Sequence, residues 1–168
     1  KVSVVAVSSK NKYASASWTP DGSGFYYTWL PTDPKIPASE RPGFQEVRFH
    51  RLGEDPAKDR VVHARLGDPT AFLAASLSKD GRWLVLTVQH GWSSTDVYFR
   101  DLADPKAADR WTPLVVGTEA HWSVEAFRDR FYVVTDDGAP QGRVYEVDPA
   151  RPARKGWREI VPERGDAT

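Results

Sequence analysis

Short apolar runs separated by polar turns recur along the chain, and the clearest example is residues 75–88, ASLSKDGRWLVLTV. The run after the turn is aromatic and β-branched, which favours a packed strand. Between the two runs, Asp80 and Gly81 supply the positive backbone angle that a tight hairpin needs. This stretch therefore predicts a β-hairpin.

The same pattern occurs at residues 15–29 (SASWTPDGSGFYYTW) and, in a shorter form, at residues 124–135 (VEAFRDRFYVVT). The turn aspartates Asp21, Asp80 and Asp129 are 59 and 49 residues apart. A period of this length is typical of repeat architectures such as the β-propeller.

Each hairpin is followed by a third and a fourth apolar run. The third runs are residues 46–52, 96–102 and 143–149, and the fourth runs are residues 59–65, 112–117 and 157–161. Four short strands in a meander of about 40 to 50 residues make one blade of a β-propeller. The sequence therefore predicts an all-β fold, a partial β-propeller of about three four-stranded antiparallel meander blades. Residues 1–168 form one segment of the propeller domain, with blades at about 12–66, 67–118 and 119–162.

Two segments stand outside this repeat. Residues 1–11 begin with the apolar run KVSVVAV and are predicted to form the outer strand of a preceding blade, or a replacement for it. Residues 30–43 contain four prolines and lengthen the connection between the second and third strands of the first blade, as an insertion at a blade edge does. One interpretation is that this loop makes a contact or gates access. The alternative is that it is an insertion without a functional role.

Composition and charge exclude several classes of function. Lysine plus arginine and aspartate plus glutamate both total 23, so no basic field attracts nucleic acid or an anionic membrane. No run approaches the 18 apolar residues of a membrane span. The chain has no cysteine, which excludes disulfides and thiol chemistry and fits a cytoplasmic location, with a periplasmic parent protein as the alternative. We expect no nucleic-acid or membrane partner.

Polar side chains that carry chemistry are present but are not grouped. The four histidines lie in different repeats without metal-binding spacing, so we expect them to be satisfied or solvent-facing, with no metal and no cofactor. The prominent carboxylates lie in turns, where each is expected to bond local backbone instead of forming an acid-base pair. These residues are His50, His63, His90 and His121, and Asp21, Asp80, Asp129 and Asp137. No G-x-S-x-G motif is present.

Trp92 differs from the other aromatic residues. Most of them fall at strand positions, where their bulk packs one blade on the next. Trp92 follows a glycine in the loop QHGWSS, outside the strand pattern. It is the first aromatic residue that we expect to take part in binding.

Three stretches carry a resemblance to a known family: residues 18–31 (WTPDGSGFYYTWLP), 40–85 and 127–153. Together they resemble the N-terminal β-propeller domain of prolyl oligopeptidase, a serine peptidase family that cuts short peptides after proline. The resemblance extends over about residues 12–165, and loops match as well as strands. It implies about three blades of a seven-bladed propeller that caps an α/β-hydrolase domain.

The resemblance also implies what this segment does. The family's catalytic serine, aspartate and histidine lie in the hydrolase domain, so this chain alone is expected not to be an enzyme. The propeller would gate access of short proline-containing peptides to the active site of that domain, and both would be its partners. Carried over position by position, residues that line the substrate pocket fall on Tyr13, Phe72 and Trp92. The alternative for Tyr13 and Phe72 is ordinary packing at the rim of the propeller.

A second interpretation treats the chain as a free-standing interaction module that assembles with copies of itself. An arc of three blades leaves one sheet face uncovered at each end. Uncovered sheet faces and unpaired strand edges favour self-association of the isolated segment.

Overall fold

The computed structural model describes residues 16–107 and 109–165, which contain twelve β-strands and three short 3-10 turns. The strands form three four-stranded antiparallel sheets, and in each sheet strands adjacent in sequence pair with one another. This confirms the predicted all-β fold of three four-stranded meander blades. The predicted strand within residues 1–11 lies outside the described residues.

The three sheets follow one another along the chain. The first sheet contains β1 (Ala16–Trp18), β2 (Gly24–Trp29), β3 (Glu46–Arg51) and β4 (Arg60–His63). The second contains β5 (Ala71–Leu77), β6 (Trp83–His90), β7 (Ser94–Asp101) and β8 (Thr112–Val115). The third contains β9 (Trp122–Phe127), β10 (Arg130–Thr135), β11 (Arg143–Val147) and β12 (Arg158–Val161). The 3-10 turns are Arg41–Phe44, Pro56–Lys58 and Arg154–Gly156.

The same irregularity recurs in all three sheets. The register between the third and fourth strands shifts directly after Val47 in the first sheet, Val97 in the second and Val144 in the third. A bulge bends a strand and increases its local twist. Its repetition at equivalent positions shows that the three blades are copies of one structural unit.

Strand β6 is buried on both of its faces, which explains its unbroken apolar sequence. Leu84 and Leu86 pack in a core shared with the first sheet. Trp83 and Val85 pack in a second core, shared with the third sheet. Because neighbouring side chains in a strand point to opposite faces, one apolar strand holds two blades in place.

Polar side chains also join the first sheet to the second. The Gln45 side-chain oxygen accepts a hydrogen bond of 2.6 Å from the Leu73 amide, and Thr28 Oγ1 donates to the Leu73 carbonyl at 3.2 Å. The Arg100 guanidinium crosses between the sheets and donates to the Val62 carbonyl at 3.1 Å. These bonds satisfy backbone groups at the sheet edges and fix how the blades align.

The outward face of the third sheet carries a row of valines. Val134 in β10 pairs with Val144 in β11, which pairs with Val161 in β12. Val134 is 48% exposed and Val161 is 47% exposed. Val144, between them, is half-buried, so the row is partly exposed apolar surface.

The meander places the connecting loops at two opposite ends of the sheets. We call one of them the loop rim: it contains residues 30–45, 64–70, 91–93, 116–121 and 136–142, together with the first or last two residues of the strands that adjoin them. The first strand of each sheet begins at the loop rim. The opposite end, which we call the turn end, contains the hairpin turns at Asp21, Asp80 and Asp129.

Candidate functional site: the loop rim

Phe72 and Trp92 both lie on the loop rim, whereas Tyr13 lies outside the described residues. Phe72 is the second residue of β5, is half-buried and pairs with Gln89 of β6. Trp92 lies in the loop that follows β6. The Gly91 amide donates to the Thr70 carbonyl at 3.0 Å, which ties this loop to the start of β5. The β5–β6 pairing therefore brings the two predicted pocket residues to the same end of one sheet.

The loop that carries Trp92 is short and internally bonded. Gly91 has a φ of 56°, in the region that glycine adopts without a Cβ penalty. Ser93 donates to the His90 carbonyl from its amide at 3.2 Å and from its hydroxyl at 3.0 Å. These hydrogen bonds fix the backbone of the loop, while Trp92 remains 93% exposed. A large apolar ring held in water is suited to contacting a partner or a ligand.

A histidine-aspartate pair connects the start of this loop to the segment that leads to the next blade. His90 Nε2 lies 3.0 Å from Asp96 Oδ2. The other oxygen of that carboxylate accepts a hydrogen bond of 2.8 Å from the Gly117 amide, in the connection to the third sheet. Asp96 therefore joins the end of β6 to residues 116–121 at the rim.

A second histidine-aspartate pair lies at the start of the third sheet. Trp122 of β9 pairs with Thr135 of β10, so His121 and Asp136 stand side by side directly beyond that pair. The Asp136 carboxylate accepts hydrogen bonds from the His121 amide at 2.7 Å and from the His121 ring at Nδ1, 2.8 Å away. The other ring nitrogen, Nε2, lies 3.0 Å from the Trp92 carbonyl oxygen.

These contacts change the acidities of both groups. The hydrogen bond from Asp136 raises the pKa of His121, and the Trp92 carbonyl raises it further, since both are acceptors that favour the charged ring. In return, the His121 ring and amide lower the pKa of Asp136. The pair is therefore an ion pair over the pH range between the two pKa values.

The long loop of the first blade is anchored at its end. The Gly43 carbonyl accepts a hydrogen bond of 3.0 Å from the Gly67 amide. A Cβ on Gly43 would lie 3.1 Å from the nitrogen of Pro69, so the two segments are in close backbone contact. The predicted insertion is present between β2 and β3, and its last turn packs on the connection to the second blade.

Two surface grooves lie near these elements. One, of about 360 Å³, is on the loop rim beside His121 and Asp136. The other, of about 570 Å³, is at the turn end beside Arg82 and Asp129. Neither of these two grooves is lined by Phe72 or Trp92.

The turn carboxylates divide into two groups. Asp21 bonds local backbone as predicted: the Ser23 amide donates to it at 3.0 Å, and this bond with its neighbours lowers the pKa of Asp21 to about 2. Asp80 likewise accepts from the Arg82 amide at 3.2 Å. The same prediction is wrong for Asp129, whose carboxylate accepts from the Arg82 guanidinium at 2.6 Å. It is also wrong for Asp137, which accepts from the Arg154 guanidinium at 3.3 Å.

Asp129 bonds an arginine instead of its own turn because of where Arg82 lies. Arg82 lies in the β5–β6 turn of the second blade and also bonds Asp101 at 2.9 Å, so its guanidinium bridges two blades at the turn end. A guanidinium offers five donors in a fixed plane and outcompetes a local amide for an exposed carboxylate. Asp129 therefore joins two blades instead of completing its own turn.

The described residues contain no group of three or more histidine, aspartate or glutamate side chains placed to hold a metal ion. No helix in the described part of the chain is long and apolar enough to cross a membrane.

Three consecutive four-stranded meanders with cores between them define an arc of a β-propeller. The family of the prolyl oligopeptidase N-terminal β-propeller domain matches residues 4–168. The chain therefore belongs to that family, and the resemblance seen in the sequence is confirmed.

Curated relatives cover the chain but are much longer. A prolyl endopeptidase of Elizabethkingia meningoseptica is 23% identical over 156 residues, which is 92% of this chain and 22% of that protein. Prolyl oligopeptidase A of Galerina marginata (strain CBS 339.88) is 27% identical over 164 residues, which is 90% of this chain and 22% of that protein. The chain thus spans about a fifth of the length of these relatives.

Solved structures give the same result. A structure from a study of two prolyl endopeptidases and their inter-domain dynamics has a TM-score of 0.85 and 53% sequence identity. It covers 91% of this chain, which matches 22% of that structure. Prolyl oligopeptidase B of Galerina marginata, bound to a 25-residue macrocyclization substrate, has a TM-score of 0.74 at 22% identity and shares the fold. The match covers 89% of this chain and 21% of that protein.

Proposed function

We propose that this chain is a non-catalytic propeller segment that gates access of short peptides to a serine peptidase active site in a separate hydrolase domain. Its partners are then that hydrolase domain and short proline-containing peptides. The parent protein would be an endopeptidase that cleaves after proline. Family membership supports this proposal, together with the 53% identity to a solved prolyl endopeptidase.

The observation that carries the proposal is the placement of Phe72 and Trp92. Both residues lie on the loop rim, at one end of the β5–β6 pair, and the Trp92 ring is held in water by a short bonded loop. A face that docks on a second domain and lends apolar side chains to a pocket needs this arrangement. We propose that Phe72, Trp92 and Tyr13 contact the substrate next to its proline.

The first test compares the chain alone with the complete polypeptide that contains it. Among the described residues, no serine is placed with a histidine and a carboxylate as an activated nucleophile, so the chain alone should not cleave a fluorogenic proline-containing peptide. Turnover by the isolated chain, after purification away from host peptidases, would overturn the proposal.

The second test uses Trp92→Ala in the complete polypeptide. Loss of an apolar contact with the substrate should raise KM on the order of tenfold, as about 1.4 kcal/mol of lost binding would, with a smaller change in kcat. Trp18→Ala is the matched control because Trp18 is also exposed but lies at the turn end. Equal KM values for Trp92→Ala and the unmodified protein would remove Trp92 from the pocket.

A second candidate function is a module that assembles with copies of itself. The row of partly exposed valines on the outward face of the third sheet favours it, since apolar side chains on a sheet face are commonly covered by another sheet. A gene that continues into a hydrolase domain supports the gating function, and one that stops after this segment supports the assembly function.

A further inference from the structure

The contact between His121 and the loop of Trp92 has a chemical consequence. Ring nitrogen Nδ1 faces the Asp136 carboxylate, and ring nitrogen Nε2 faces the Trp92 carbonyl oxygen. A carboxylate and a carbonyl can only accept hydrogen bonds. Both ring nitrogens must therefore carry a proton for both contacts to be hydrogen bonds, and a histidine with two ring protons is a cation.

The contact joins two blades that the chain connects only through residues 116–121. Trp92 lies between β6 and β7 of the second sheet, and His121 precedes β9 of the third sheet. The Asp136 carboxylate fixes the ring from one side and also receives the His121 amide, so the imidazolium is held in one orientation. The other ring N–H, at Nε2, points at the Trp92 carbonyl oxygen.

We propose that His121, as an imidazolium, is a positioning residue that fixes the Trp92 loop against the third blade and releases it on losing a proton. The loss of one ring proton removes one of the two ring hydrogen bonds. Since the carboxylate is the stronger acceptor, the bond to the Trp92 carbonyl is the one that is lost. The Trp92 loop then keeps only its bonds within the second blade.

The charged groups around His121 define the pH range of this device. Among the described charged groups, Asp136 acts on the His121 ring. Its hydrogen bond and its negative charge both raise the pKa of His121. Asp137, the next carboxylate on the rim, is bonded to Arg154 at 3.3 Å, and Glu119 is exposed in the preceding connection. On the neighbouring blade, His90 is bonded to Asp96. The loop is therefore held above the lowered pKa of Asp136 and below the raised pKa of His121.

The inference rests on the proposed substrate role of Trp92 only where it predicts an effect of His121 on peptide binding. The environment of the Trp92 ring is therefore measured first, without substrate. The complete polypeptide is labelled with 5-fluorotryptophan, and Trp92→Phe identifies the fluorine resonance of Trp92. We expect this resonance to shift with pH, with an apparent pKa above the usual value of about 6.5 for histidine. A resonance that does not respond between pH 5 and 9 would overturn the proposal.

Variants show which group titrates. In Asp136→Asn the midpoint of the Trp92 resonance should move down toward about 6.5, because the negative partner is lost. In His121→Gln the pH response should disappear, because glutamine does not titrate. His90→Gln is the matched control, since His90 is nearer to Trp92 in the chain but bonds Asp96: the response should persist. A response that disappears in His90→Gln and persists in His121→Gln would overturn the assignment.

Peptide cleavage then tests the link to substrate. If Trp92 contacts the substrate, KM should rise about two- to tenfold as pH passes the His121 midpoint, the effect of losing about one hydrogen bond, and this rise should be absent in His121→Gln. A resonance that titrates while KM stays constant would sustain the His121 contact and overturn the substrate role of Trp92. The two failures are therefore distinguishable.

Discussion

Glycines at the hairpin turns show how one residue position can differ between equivalent blades. Gly22 and Gly81 both have positive φ, 68° and 76°, as the Asp-Gly turn predicts. A Cβ on Gly22 would meet no atom within 4 Å, whereas a Cβ on Gly81 would lie 2.9 Å from Pro20 Cγ. The turn of the second blade therefore packs on the turn of the first.

We expect Gly81→Val to lower the free energy of unfolding by about 1 to 3 kcal/mol, because valine at positive φ is strained. Gly22→Val should introduce the same backbone strain without a clash with Pro20. Its loss of unfolding free energy should therefore be smaller than that of Gly81→Val. Thermal unfolding followed by circular dichroism measures both. Equal melting temperatures for Gly81→Val and the unmodified protein would contradict the role of the turn.

The third hairpin has a shorter turn, of two residues, and forms it without glycine. Arg130 pairs with Phe127, which leaves Arg128 and Asp129 as the two turn residues. Arg128 has a φ of 53°, and it is the one non-glycine with positive φ among the described residues. The Arg128 carbonyl accepts a hydrogen bond of 2.9 Å from Trp83 Nε1 of the second sheet. A contact with the neighbouring blade therefore helps to hold a turn whose local sequence does not favour it.

At the scale of elements, a buried polar cluster joins three strands of the first sheet. Asp59, directly before β4, accepts a hydrogen bond from the Tyr27 hydroxyl at 2.7 Å and contacts His50 Nδ1 at 2.8 Å. The His50 side chain has no exposed surface, and its Nε2 has no hydrogen-bond partner among the described residues. Burial and the bond to Asp59 raise the pKa of Tyr27, so its hydroxyl keeps its proton and donates. The expectation that the histidines are satisfied or solvent-facing is therefore wrong for His50 Nε2, and for the same reason it is wrong for His63 Nδ1.

We expect Asp59→Ala to lower the free energy of unfolding by about 2 to 4 kcal/mol, because it leaves the Tyr27 hydroxyl and His50 Nδ1 buried without an acceptor. Tyr27→Phe is the matched control: it removes one donor and leaves the contact between Asp59 and His50, so its cost should be about 0.5 to 1.5 kcal/mol. Urea unfolding of both variants gives these values. A smaller loss in Asp59→Ala than in Tyr27→Phe would contradict the assignment of Asp59 as the centre of the cluster.

At the scale of the whole molecule, the outward face of the third sheet determines how the isolated segment behaves. Val134, Val144 and Val161 form a row across three strands, and the net charge of zero provides little repulsion between copies. We expect the isolated chain to associate, so that its mass in sedimentation equilibrium rises above 18.8 kDa with concentration.

Substitutions locate the associating surface. Val134→Glu should weaken association, because it places a charge in the apolar row, at an exposed position. Leu66→Glu is the control, since Leu66 is similarly exposed but lies in the connection at residues 64–70. A mass of 18.8 kDa at every concentration, with a single cooperative unfolding transition, would show that the segment seals its own ends.

Much of the fold is determined by local sequence. The apolar run of β6, the turn aspartates and the third-strand valines each act within a few residues, through side-chain alternation and turn geometry. These local patterns are repeated, so their spacing was enough to predict three four-stranded blades. The predicted third and fourth runs fall within two residues of the strands that form.

The candidate site could be predicted only in part. Trp92 was identified because it follows a glycine outside the strand pattern, and its exposure agrees with that reasoning. His121 and Asp136 were missed as a pair, because the predicted hairpin began at residue 124, whereas they immediately flank the β9–β10 hairpin that forms, which begins at Trp122. The contact from His121 to the Trp92 carbonyl has no such local signal, because the two residues belong to different blades.

The sequence by itself therefore determined the strands, their order within each sheet and the number of blades, since these depend on contacts between neighbours in the chain. Only the tertiary structure decided which groups meet across blades. Asp129 bonds Arg82, 47 positions away, and His121 bonds the Trp92 loop, 29 positions away. His121 also bonds Asp136 across its own hairpin, so a local contact does not exclude a distant one. The relative placement of two sheets, which is set by the apolar cores between them, decides which distant groups come close enough to bond.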